Sequence, residues 1–134
     1  MICRAKSLLT NEFVEGGFVQ GKNAWIVQIK EDGSFSHILV DPGTVGRCSD
    51  VPDKHGRIIF EGDIVRVDAD VKETFERVVD GPVRFSRGGF FVNSYGDVLR
   101  SFDVIADFTG QLRGEVIGTI YENPELLLEA GHGK

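Results

Sequence analysis

"AWIVQIKEDGSFSHILV", residues 24–40, reads as two strands joined by a turn. In its first half Trp25, Val27 and Ile29 alternate with Ala24, Ile26 and Gln28, the period of two that sends successive side chains to opposite faces of a sheet. Asp32 and Gly33 separate this run from "SFSHILV", and an Asp-Gly step between alternating apolar runs is a strong short-range hairpin signal. The hairpin predicts a β protein, and the rest of the chain extends that prediction in both directions.

Upstream, "FVEGGFVQ" (13–20) predicts a short strand pair or a kinked strand, with a bulge or tight turn at Gly16-Gly17. Downstream, "DPGTVG" (41–46) is a connector with room for one helical turn, because Pro42 cannot donate to a ladder. Residues 51–68 then supply a turn at 53–56, a short apolar stretch at 58–60, a second turn at Glu61-Gly62 and a strand at 63–67. The stretch 69–82 fits helical spacing about as well as strand spacing and is assigned to strand. "PVRFSRGGFFVN" (82–93) predicts a hairpin turning at Arg87-Gly88-Gly89. "VLRSFDVIADF" (98–108) holds a short helix, and residues 115–121 form the closing strand. After Tyr121 the ladder must stop, since Asn123 precedes Pro124; Asn as cap, Pro at the first helical position and Glu125 in the first turn mark a helix start.

The expected fold is therefore one mainly β domain with minor α, covering residues 1–134. An N-terminal β-meander leads into an SH3-like or small-barrel region over residues 57–121, and a short C-terminal helix follows. A chain of 134 residues can bury about two-thirds of its unfolded surface without staples. Its 17 glycines and 10 phenylalanines favour turns and strands over long helices.

Net charge is −6, so the field of the whole molecule repels phosphate backbones and disfavours nucleic acid as a partner. Cys3 and Cys48 are far apart, have no metal-ligand spacing to other Cys or His, and are expected to be reduced and buried in a cytoplasmic protein. The residues after Met1 lack an apolar run long enough for a signal peptide, and no stretch approaches membrane-spanning length, so no membrane partner is expected.

At the level of chemistry, Glu61-Gly62-Asp63 could pair two carboxylates for acid/base or metal work, but a tight turn with Asp63 bonded to nearby amides accounts for the same residues. Glu122 and Glu125 flank a helix start that explains most of their surroundings. His37 lies mid-strand, His55 in a turn and His132 in the tail, none with a ligand partner at metal spacing. Catalytic residues, metal ligands and cofactors are accordingly all expected to be none. Arg84 and Arg87, interleaved with Phe85, Phe90 and Phe91, offer the alternative of a nucleic-acid contact through cations and stacking, with Arg84, Arg87 and Phe90 as its residues. A metal-dependent hydrolase using Glu61 or Asp63 is a third, weaker reading.

Two long runs, "VDPGTVGRCSDVPDKHGRIIFEGDIV" (40–65) and "EVIGTIYENPELL" (115–127), resemble the YopX-type proteins encoded by bacteriophages and prophages. The shared elements are residues 41–46, 53–56, 59–65 and 118–127, which makes Asp41, Pro42, Gly46, Asp53, Gly56, Glu61, Gly62, Asp63, Glu122, Asn123 and Pro124 the motif residues, read as structural. "FVEGGFV" resembles a further strand of the family. Residues 48–51 depart from the family's Thr-Gly-Leu-like stretch, and His55 stands where its turn usually has Asn. The resemblance implies a phage-borne protein without agreed activity or catalytic residues, some relatives of which form homo-oligomers; the expectation for this chain is an accessory protein in the cytoplasm of a bacterial host cell that forms a homo-oligomer, with a host or phage protein as a further candidate partner. Self-association through exposed β edges or the leucines at 126–128 is the leading functional expectation.

Overall fold

Four N-terminal strands, β1 (Ile2–Lys6), β2 (Phe13–Gln20), β3 (Ala24–Ile29) and β4 (Phe35–Leu39), form an antiparallel meander in the order β4-β3-β2-β1. The computed structural model describes residues 2–68, 80–94 and 98–129. The chain divides into two units, Met1–Cys48 and Ser49–Lys134, each with its own core.

In the first unit the 24–40 hairpin forms as its alternation predicts, with Trp25 opposite Leu39, Val27 opposite His37 and Ile29 opposite Phe35. Ala24 and Ile26 turn inward and join Cys3, Ala5 and Val40 in the core, against which Val14, Phe18, Ile38 and Val45 pack. β2 is one continuous strand, not a pair broken at Gly16-Gly17. A Cβ on Gly16 would overlap the carbonyl oxygen of Val27 and stand 2.9 Å from Ile26, so this glycine permits close approach of β3 and makes no turn. The meander curls until its first and last strands meet: Ser7 bridges Val40, Leu8 N donates to Leu39 O at 3.0 Å, and Asp41 N donates to Lys6 O at 2.9 Å.

A single 3-10 turn, Pro42–Thr44, fills the predicted connector. Next comes β5 (Gly46–Pro52), whose first residues, Gly46 and Arg47, pair with Arg4 and Cys3 of β1. Sequence alternation does not reveal β5, because Asp50 sits at φ 59° and Pro52 ends the strand.

In the second unit the end of β5 runs beside β6 (Ile58–Phe60). A five-stranded antiparallel sheet stands in the region read as an SH3-like barrel, in the order β10-β9-β8-β7-β11. Its strands are β7 (Asp63–Val67), β8 (Gly81–Ser86), β9 (Gly89–Ser94), β10 (Val98–Ser101) and β11 (Gly114–Thr119). Ile59, Val65, Val67, Val83, Val92, Phe102, Ile105, Leu112 and Val116 make the core, with Val51 and Phe90 packed against it.

The stretch 98–108 holds a short helix as expected, α1 (Phe102–Ile105), with Ser101 Oγ accepting from Asp103 N at 3.3 Å, and strand β10 precedes it. α2 (Glu125–Glu129) follows Pro124 as the start signal predicts. The strand assigned over 69–79 lies outside the described residues, while Gly81 and Pro82 open β8. The molecule is mainly β with two short helices among the described residues, as the sequence predicts.

Candidate interaction surface

Most of the motif residues close backbone. Asp41 Oδ1 accepts from Gly43 N at 2.9 Å, capping the 3-10 turn that Pro42 begins, and Thr44 Oγ1 accepts from Lys6 N at 2.9 Å. Gly46 pairs with Arg4.

Asp53 joins a turn to a distant strand through three hydrogen bonds of its side chain. It is 1% exposed. Oδ1 accepts from His55 N and Arg57 N, both at 2.9 Å, and Oδ2 accepts from Val116 N in β11 at 3.0 Å. Burial by itself would raise the pKa of this carboxyl. The N–H donors of Val116, Arg57 and His55, helped by the charge of His55, outweigh burial and hold it below its ordinary value. Gly56, at φ 84°, completes the turn.

Glu61-Gly62-Asp63 is a tight turn. Asp63 is fully buried, and its Oδ2 accepts from Phe60 N at 2.8 Å; Gly62 N donates to Val83 O at 3.0 Å, and its carbonyl accepts from Ile120 N at 2.9 Å. Both carboxylates thus flank a backbone reversal, and among the described residues no three His, Cys, Asp or Glu side chains gather in a metal-ligating group.

Asn123 does not use its side chain to cap α2. Oδ1 reaches back to accept from Thr119 N at 3.1 Å, and the Asn123 carbonyl accepts from Leu126 N at 3.0 Å. Gly118 faces this clamp, where a Cβ would lie 2.5 Å from Asn123 Oδ1. Glu122 is exposed at its side chain, while its N–H bonds Thr119 Oγ1 at 3.0 Å. The segment 118–124 therefore ties the end of β11 to the chain that leaves it.

The β8–β9 hairpin turns through Arg87 and Gly88, at φ 52° and 79°. Register sets Arg84 opposite Phe91 and Phe85 opposite Phe90, so the two pairs stand on opposite faces. Phe90 meets Phe85 edge-on at 4.9 Å between ring centroids, lies 5.9 Å from Phe102, and packs on the core. The partner of Arg84 on the outward face is Phe91; Phe90 does not share a surface with Arg84.

What the sequence reading did not bring out is the outer face of the first unit. Cross-strand register places Val19, Trp25 and Leu39 in one row, Gly17, Val27 and His37 in the next, and Ile29 with Phe35 in a third. Val19 is 52% exposed, Ile29 73% and Phe35 59%. Depressions of about 410 Å³ and 420 Å³ adjoin Trp25 and His37 on two sides, the second reaching Leu8 and Leu9. Alternation alone carries a faint signal for this surface, because the 24–40 hairpin is apolar on both faces and the fold buries the one with smaller side chains. Leu126 and Leu127, by contrast, are half-buried.

No curated protein matches the sequence. The family model described as YopX protein matches residues 14–128, which takes in both units and all the motif segments, and on that match the chain belongs to the YopX family.

Proposed function

We propose that this protein is a non-enzymatic binding module, an accessory protein of a phage or prophage acting in the bacterial cytoplasm, and that it self-associates. One observation carries the reading: a contiguous apolar face of Val19, Trp25, Val27, Ile29, Phe35 and Leu39 around a single histidine, His37. Contiguous exposed apolar surface of this kind marks interaction sites, while scattered apolar residues do not. The motif carboxylates give further support, since Asp53 and Asp63 are engaged in holding backbone. A Val27→Glu substitution in the middle of the face is expected to lower the molar mass measured by light scattering while leaving the circular dichroism spectrum unchanged. An unaltered mass in the folded variant would remove the face as the contact.

A second reading is supported by Arg84 and Phe91, which share the outward face of the β8–β9 hairpin as a cation beside an aromatic ring. Nucleic acid would then bind with a steep salt dependence against an unfavourable net charge of −6. An Arg84→Glu/Arg87→Glu double variant should lose that binding. Equal binding by the variant and the parent would eliminate the hairpin as the contact.

A further inference from the structure

We propose that the β4 edge of the first unit is the seat of association, and that its occupant is the β4 strand of a second copy, added antiparallel about a two-fold axis at Ser36. The proposal rests on the self-association reading above and names the contact.

Hydrogen-bond polarity along β4 decides which groups are available. In the β3–β4 ladder Lys30 N donates to Ser34 O at 2.7 Å and Val40 N to Ala24 O at 3.0 Å, and the register runs without a shift between them. Antiparallel ladders alternate hydrogen-bonded and non-hydrogen-bonded pairs, so residues 34, 36, 38 and 40 address β3. The N–H and C=O groups of Phe35, His37 and Leu39 therefore point to the opposite edge. There the Leu39 carbonyl already accepts from Leu8 N at 3.0 Å, so the edge is closed from residue 39 onward. Among the described residues β4 ends the strand order, leaving the main-chain groups of Phe35 and His37 without a ladder partner. At the other end the chain leaves the sheet through the turn that brings Gly33 N to Lys30 O.

The open segment is thus short, and a long strand laid along it would meet Leu8. A second β4 has the same length and the same stops. Paired about Ser36, Phe35 of each copy faces His37 of the other, and four free groups meet four complementary groups. Leu8 of each copy then falls opposite residue 33 of the other, where the chain has already turned out of the sheet. The side chains agree with this occupant. "FSHIL" has none of the devices that protect natural edges, neither proline nor lysine nor any other charged residue. Phe35 and His37 present exposed rings 6.5 Å apart on the outer face, ready to interleave with the same two rings of the second copy.

Proline at position 37 provides the test, because the N–H it removes points to the open edge and the β3 ladder does not use it. In sedimentation velocity the parent protein is expected to show the mass of two chains and His37→Pro the mass of one, with unchanged circular dichroism. A charge-swapped pair gives an independent check: Phe35→Lys/His37→Lys and Phe35→Glu/His37→Glu should each be single chains, and their mixture should recover two-chain mass. Two-chain mass in a folded His37→Pro protein would overturn the edge contact while leaving self-association standing. A single-chain mass for the parent would overturn both. If His37→Pro unfolds, the charge-swapped mixture decides, and failure to associate overturns the proposal.

Discussion

Asp53 shows how one carboxylate can hold distant chain together. Its Oδ1 organises the 53–57 turn, while Oδ2 binds Val116, 63 residues away in β11. Asp53→Asn would turn an amide N–H towards the N–H of Val116, and hydrogen bonds to a charged acceptor contribute about 1.5–3 kcal/mol each. We expect a loss of about 2–4 kcal/mol at neutral pH, read by denaturant unfolding. The carboxyl's folded pKa lies below its unfolded value, so its contribution is full above the unfolded pKa, about 4, and is lost as pH falls through the folded one. The stability gap between parent and variant should accordingly narrow on acidification; a gap constant down to pH about 2 would contradict this role. Gly118 and Asn123 make a second test. Gly118→Ala should destabilise, and should do so less in an Asn123→Ala background, because the alanine Cβ then no longer meets the Asn123 oxygen. The Asp-Lys-His-Gly turn is legible in the sequence as a turn, but the reach of Asp53 to Val116 is not, since local spacing carries no information about a partner 63 residues on.

Among the elements, hairpins with glycine in the turn and alternating flanks were the legible ones. The 24–40 and 82–93 pairs both form, the second through two positive-φ residues, Arg87 and Gly88. Arg87 at φ 52° occupies a conformation that Asn or Gly adopts more readily, so Arg87→Asn should stabilise the hairpin by up to about 1 kcal/mol. Thermal unfolding checks this, and a lower melting temperature would mean that the arginine side chain contributes more than its backbone strain costs. Three strands escaped: β1 (Ile2–Lys6), for which no strand was assigned, and two where alternation breaks, since β5 carries a left-handed Asp50 and β10 passes directly into α1 at Phe102, blending two periods. Asn123 was read as a helix cap from its position before Pro124, yet its side chain serves the preceding strand instead. Both roles place Asn at the same spot, so sequence could not separate them.

Across the whole molecule, the mainly β composition and the meander follow from period-two patterning, while the exposed face does not. Alternation shows that Trp25, Val27 and Ile29 share a face, but a hairpin apolar on both sides does not say which side the core takes. The choice falls to volume: Ala24, Ala5 and Cys3 let the curled sheet close on itself, leaving the larger residues outside. Cross-strand register then gathers Val19, Phe35 and Leu39 around them. The most direct measurement is sedimentation velocity of the 134-residue protein over a dilution series. Two-chain mass is expected, falling towards one chain as the protein is diluted through its dissociation constant. A single-chain mass at every concentration, up to the solubility limit, would contradict it.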